Sequence, residues 1–334
     1  MRECALFLCV LWFQRGQTES GAINAFIFIG AGFILGGLLL SGDLHCHTKL
    51  SDGTLGLEEL IALAAKRGVD TIAITDHDCL AGTVRGKIIG ERAGIKVIPG
   101  VELSALDTRT GKNVHILAYL FDSPDRIEGL CHSNSTARKK AGQFMMLKAA
   151  KRFPIATDLI MKCATGSTNL FKQHIMHALM QCGYTQTIYG EVYDDIFNPE
   201  KPMNICVQPK FADVFDVLKA VKEAGGISVL AHPALYDNFD IIDDLIAAGL
   251  NGVEVWHPTC SKENEEKLIA IAKKDKLLMT GGSDFHGMYN HGTWSIGDYV
   301  TPKQQLSELL NYKTKIKRQQ KKLEAMAQEA AAKG

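Results

Sequence analysis

From Asp43 onward, short apolar runs alternate with amphipathic stretches. Residues 69–75, 114–121, 226–231, 252–256 and 276–280 are apolar segments of strand length, and residues 96–99, continued by Gly100-Val101-Glu102, add another. Between them, residues 58–68, 83–94, 211–224, 241–248 and 262–274 space their apolar positions as helices do. Strand–helix alternation of this kind predicts an α/β fold built on a mostly parallel sheet. At 334 residues the chain is long enough for a barrel of about 250 residues folded as one domain.

Residues 126–210 break the rhythm. They are more polar, contain helix-like stretches at 136–152 and 171–182, and end in a loop with Pro199, Pro202 and Pro209. They are expected to form a small helical subdomain inserted between barrel segments 40–125 and 211–302. Residues 303–334 carry eight Lys and Arg against three Glu, a net of +5, and read as a basic helical tail with a solvated surface. At the other end, residues 5–13 and 21–40 are apolar, the second run broken only by Asn24. Residues 1–39 are therefore a leader. Residues 21–40 match the length of a membrane span, yet five Gly within 30–42 weaken a spanning helix. An anchor, a cleaved signal and a disordered leader all stay open.

Composition adds little to this. The 37 basic and 37 acidic residues cancel, which argues for no stable nucleic-acid partner, and the oligomeric state is not legible. Nine Cys without a Cys-x-x-Cys pair fit a reducing compartment, so the expected location is the cytoplasm, or a membrane if the leader anchors the chain.

The chemistry lies at the strand ends. His45 and His47 stand at i and i+2, so on a strand they share a face, and Asp284 and His286 repeat the device. Asp52, His77, Glu102, His115 and His232 also fall in or just after apolar strands. Singly, each has a dull reading: a core histidine, a turn Asp, a capping carboxylate. Together, six His and three carboxylates at strand ends exceed what one ion needs and imply two or three divalent ions. Mixed N/O donors suit Mn²⁺, Zn²⁺ or Fe²⁺ rather than Ca²⁺.

The ordered set His-x-His-x4-Asp, Thr-Asp-His-Asp, Pro-Gly-Val-Glu, His-Ile-Leu, Ala-His-Pro and Gly-Ser-Asp-Phe-His resembles the polymerase-and-histidinol-phosphatase (PHP) superfamily across residues 40–302. The resemblance implies a distorted (β/α)7 TIM-like barrel with a trinuclear metal site. It is greatest to members with a helical insert, which include nucleoside 3′,5′-bisphosphate phosphatases and a 5′–3′ exoribonuclease. It implies that His45, His47, Glu102 and Asp284 hold one ion, Glu102, His115 and His232 a second, and Asp52, His77 and His286 a third. The expected reaction is attack on a nucleotide or short-RNA phosphate by a hydroxide bridging the ions, with Asp52 or Asp284 taking its proton. A histidinol-phosphate-type phosphatase and a non-catalytic metal-binding barrel are the alternatives.

Arg138, Lys172, His174 and His257 are candidate substrate contacts; Lys139 and Lys140 beside Arg138 are either phosphate contacts or a solvated face. The pattern departs from its relatives at Leu235, before Tyr236, and at Lys172-Gln173-His174, where an Arg is common. Asp76 and Asp78, flanking His77, are caps or supports for its ring, and Cys46 should point away from the metals.

Overall fold

The computed structural model describes residues 41–333, with side chains to residue 318. The leader, including the 21–40 membrane reading, lies outside the described residues. Among those described, no helix is long and apolar enough to cross a membrane.

Seven strands make the wall: β1 (Ser41–Cys46), β2 (Thr71–Ile74), β3 (Lys96–Leu106), β4 (Asn113–Tyr119), β6 (Ile227–Leu230), β7 (Gly252–Trp256) and β8 (Leu278–Gly281). Two-residue strands β5 (Ala212–Asp213) and β9 (Thr301–Pro302) pair with β3 and β1. The order is β8-β7-β6-β4-β3-β2-β1-β9. Beyond β8 the chain returns to β1: Cys46 bridges Phe285, and the His47 N–H donates to the Phe285 carbonyl at 2.9 Å. The sheet thus curls into a nearly closed barrel. Most neighbours are parallel, but β4 runs antiparallel to both β3 and β6.

Helices cover the outside. In α1 (Leu57–Lys66), Leu57, Leu60, Ile61 and Ala64 form one buried face, while Glu58 and Glu59 favour the helix start. With α2 (Gly82–Ala93), this face packs over β1–β3. Across the barrel, α7 (Val214–Glu223), α8 (Ile242–Ala247) and α9 (Lys262–Asp275) bury an aliphatic cluster against β3, β4, β6 and β7. The sequence places the start of α7 at residue 211; instead Ala212 and Asp213 pair with β3, and the Asp213 carboxylate caps the helix by accepting from Phe215 N–H. Inside, Leu44, Ala73, Ile98, Leu117, Tyr119, Val229 and Leu278 pack with Leu306 and Leu309.

Those two leucines correct the tail reading. The helix α10 (Lys303–Lys333) begins with fully buried side chains under the barrel, and Lys313 pairs with Asp122 at 2.8 Å. Its charge count hid two apolar positions three residues apart.

Between β4 and β5 run α3 (Asp125–Arg152), α4 (Thr157–Cys163), α5 (Lys172–Gln181) and α6 (Glu191–Phe197). Ile160, Ile175, Met176, Leu179, Ile196 and Phe197 give them their own core. The sequence starts α3 only at residue 136. The helix begins eleven residues earlier, behind Pro124 and with Asp125 and Glu128 in its first turn, because its polar N-terminal half still buries Ile127 and Cys131. The seven-residue helices α4 and α6 have no counterpart in the sequence reading.

Candidate metal centre

Six of the nine ligand-type residues follow directly from strand geometry. His45 and His47 leave the end of β1, with Cys46 turned to the opposite side among Leu60, Ile61 and Phe285. His77, His232, Asp284 and His286 lie in turns just past β2, β6 and β8. His115 reaches the same rim from near the start of β4, which the antiparallel direction of that strand permits. Glu102 stands within β3, opposite Leu117. The residue 48–52 turn that delivers Asp52 is tied down by Asp76, which accepts from Thr48 N–H (2.8 Å), Thr48 Oγ1 (2.7 Å) and Ser51 Oγ (2.6 Å).

The nine converge. Glu102 Oε2 lies 3.3 Å from His45 Nε2, 3.3 Å from His47 Nε2 and 3.1 Å from His77 Nδ1. Glu102 Oε1 lies 2.7 Å from His115 Nδ1 and 2.9 Å from His232 Nε2. Asp284 Oδ1 approaches His45 and His47 Nε2 at 3.3 and 3.1 Å, and Asp52 Oδ1 approaches His286 Nε2 at 3.3 Å. One carboxylate therefore touches five imidazoles.

These contacts suit cations better than hydrogen bonds. His45 Nε2, His47 Nε2, His77 Nδ1 and Glu102 Oε2 are buried with no hydrogen-bond partner, and each such orphan costs about 1–3 kcal/mol. Ligand atoms around a cation with bonds of about 2.1 Å sit about 3.0 Å apart in an octahedron and about 3.4 Å in a tetrahedron. The observed separations fall close to that window. Two compact donor groups, His45/His47/Glu102/Asp284 and His47/Asp52/His77/His286, match two of the sequence-implied sets, with His47 added to the second. A further group, His77/Glu102/His115, brings His77 to the ion expected between Glu102, His115 and His232.

Electrostatics and strain mark the same place. Burial would favour a neutral His47, but the Asp284 and Glu102 carboxylates overcome it and push the imidazole up to about 10. Burial likewise opposes ionisation of Glu102, yet His77, His115 and His45 hold it well below the carboxylate range. Asp284 and His232 adopt positive φ, 48° and 26°, in the region L-residues avoid. Backbone held there costs of order 1–3 kcal/mol and persists only where surrounding structure enforces it.

Sequence reading missed Glu254, buried on β7 in an apolar strand that gives no hint of a partner. It lies 3.0 Å from His45 Nδ1 and accepts from the His232 N–H at 2.8 Å. It thereby keeps the His45 proton on Nδ1 and leaves Nε2 free to ligate. Glu254→Gln is expected to weaken metal affinity about 10–100-fold, read by calorimetric titration of the metal-stripped protein. Also missed was Asp43, which ties the Gly282–Asp284 turn to β1 through Ser283 N–H (2.9 Å) and Oγ (2.6 Å).

The cluster floors a cavity of about 220 Å³, walled by the helices between β4 and β5. Arg138 enters its wall, sandwiched between the Phe171 and Phe211 rings (4.7 and 4.8 Å) and donating to Asp78 Oδ2 at 3.1 Å. Asp78 also accepts from Asn134 and Ser104. Lys172 and His257 line the cavity, His257 Nε2 at 3.4 Å from Asp284 Oδ2. His174 does not. Its ring turns into the helical core, where Nδ1 accepts from Phe171 N–H, and the neighbouring Gln173 instead reaches Asp52 at 3.2 Å.

Burial lowers His174 to about 4. The unfolded ring titrates near 6.5, so the native state keeps its full advantage above that pH. It loses stability as the unfolded chain takes up the proton between 6.5 and 4. From pH 7 to 5 His174 alone is expected to cost about 2 kcal/mol. Urea unfolding at both pH values should show the loss, and less of it in His174→Gln.

Comparison with known proteins agrees with this geometry. Residues 43–191 match the model of the PHP domain. The chain is 34% identical to a phosphoribosyl 1,2-cyclic phosphate 1,2-diphosphodiesterase of Eggerthella lenta, over 74% of this chain and 94% of that protein. It is 31% identical to a 5′-3′ exoribonuclease of Haemophilus influenzae, over 73% and 89%. A solved structure described as a metal-dependent phosphoesterase of Bifidobacterium adolescentis superposes with a TM-score of 0.73 at 31% identity, covering 80% of this chain and 95% of that one. A barrel of this topology, a floor of histidines gathered on one carboxylate, and these relatives together show that the chain belongs to the PHP domain family of phosphoester-hydrolysing enzymes.

Proposed function

We propose that the enzyme hydrolyses a phosphoester on a ribose that carries two phosphoryl groups: a nucleoside 3′,5′-bisphosphate, or the 5′ end of a short oligoribonucleotide. The observation that carries this is the cavity itself, lined by seven of the nine metal-type ligands, with His45 and His47 fully buried beside them, and by the cations Arg138 and Lys172, which can meet a second phosphate. The two enzymes named above act on a phosphoribosyl cyclic phosphate and on RNA, both built from phosphorylated ribose.

In this reading His45, His47, Asp52, His77, Glu102, His115, His232, Asp284 and His286 hold two or three divalent ions, Mn²⁺ first among Mn²⁺, Zn²⁺ and Fe²⁺. Bound there, the ions supply Lewis acidity, lowering the pKa of water and neutralising phosphoryl oxygens. Asp284 keeps Oδ1 toward His45 and His47, and its Oδ2 faces His257. Thr259 N–H donates to His257 Nδ1 at 3.2 Å, so the neutral ring carries its proton on Nε2 and donates it to Asp284 Oδ2. Asp284 is thus oriented to take a proton from the attacking water, with Asp52 as the other acceptor. Arg138 is already locked by Asp78, Ser104 and two rings, so it meets phosphate without losing further rotamer freedom. The cytoplasm is the proposed location, supported by the unpaired cysteine spacing, and residues 126–210 are proposed as a substrate-shaping insert.

The test is phosphate release by the purified chain with Mn²⁺ against a nucleoside 3′,5′-bisphosphate, phosphoribosyl 1,2-cyclic phosphate and histidinol phosphate. Histidinol phosphate is expected to be at least about tenfold the poorer substrate, and a preference for it would overturn the reading. Preference for the cyclic ester would move the substrate to that of the Eggerthella lenta relative, the second reading its identity supports.

A further inference from the structure

A second groove lies behind the catalytic cavity. It runs along α3, where Gly129, Ser133, Ala137 and Ala141 leave a shallow floor, and its opposite wall is the segment Val207-Gln208-Pro209-Lys210. Its volume is about 600 Å³. Val207, Gln208 and Pro209 also line the catalytic cavity, so a single strip of chain separates the two. The groove is basic: Lys140, Lys210 and His132 line it, and no carboxylate does. At one end the phenyl ring of Phe144 is 59% exposed. Gly129 to Phe144 spans 15 residues, about 22 Å of helix.

We infer that this groove takes the trailing nucleotides of a short single-stranded RNA whose 5′ end occupies the metal cavity. The inference rests on the function proposed above and narrows its substrate. An extended polyanion matches the chemistry: lysines on both walls meet backbone phosphates, and an exposed ring at the end offers a face on which a base can stack whatever its identity. Two alternatives fit less well. A mononucleotide ends inside the cavity, and nothing in the groove supplies the deep apolar pockets by which a protein segment is usually held. Contiguity with the cavity makes the substrate's own chain the natural occupant. Length-dependent affinity follows, because each added nucleotide reaches further over the Val207–Pro209 strip.

The experiment compares wild type with Lys140→Glu/Lys210→Glu and with Phe144→Ala, using a 5′-phosphorylated pentaribonucleotide and a nucleoside 3′,5′-bisphosphate as substrates. All three side chains are exposed, so folding is undisturbed. The charge-reversed pair should raise KM for the pentanucleotide at least about tenfold and flatten its salt dependence. Phe144→Ala should raise it about fivefold or more. Both should leave kinetics on the mononucleotide within about twofold of wild type. Unchanged pentanucleotide kinetics in both variants, as when the groove seats a protein segment instead, would overturn the inference alone. So would a wild type that cleaves the mononucleotide but not the RNA. A wild type inactive on both substrates would overturn the functional reading and the groove with it.

Discussion

Glu102→Gln is expected to cut metal-dependent kcat/KM by at least about 10³-fold, some 4 kcal/mol of transition-state stabilisation, in a chain that still folds. The amide has the shape of the carboxylate, so the β3–β4 pairing around it, Glu102 opposite Leu117, is preserved. What is lost is the one anion that reaches His45, His47 and His77 through Oε2 and His115 and His232 through Oε1. No other ligand-type carboxylate touches so many of the rings. Elemental analysis of the variant should show at least one equivalent of metal fewer than wild type, with unchanged circular dichroism. Full metal content and normal turnover would mean that Glu102 is a structural carboxylate and that the site is organised around other groups.

Gly282→Ala should be strongly damaging although it adds only a methyl group. A Cβ there would lie 2.4 Å from both the N and the Cβ of His45 and 2.9 Å from its Cα. Backbone cannot rotate aside as a long side chain can, so the seam between β1 and the end of β8 must open. Overpacking of this severity is expected to cost about 3 kcal/mol, or roughly 5–10 °C in Tm. Because the displaced residue is a ligand-type histidine, added Mn²⁺ should also raise the Tm of the variant less than that of wild type. Gly56→Ala is the control, since its nearest neighbour is the mobile Glu59 Oε2 at 3.5 Å. A Gly282→Ala protein that melts with wild type would show that the seam is looser than its spacing indicates.

The sequence by itself determined the chemistry and most of the architecture. His45, His47, Asp284 and His286 are legible because a strand repeats every two residues, so i and i+2 must share a face whatever the rest of the chain does. Strands and helices of ten residues or so, such as the one at 58–68, are legible for the same local reason, and the ordered motifs carry the family. Local periodicity fails where the deciding contact is remote. Glu254 looks like one more residue of an apolar strand, and only the curl of the sheet brings it to His45, 209 positions away. His174 looks like a substrate contact beside Lys172, until the packing of α5 turns its ring inward and presents Gln173 to Asp52. Leu306 and Leu309 sit in a tail whose average is basic, and the barrel they close exists only after folding. The opening histidine pair needed no tertiary structure to be recognised as a ligand device. That Glu102 is the carboxylate on which five rings meet was decided by the antiparallel β4, which carries His115 to the rim from the opposite chain direction.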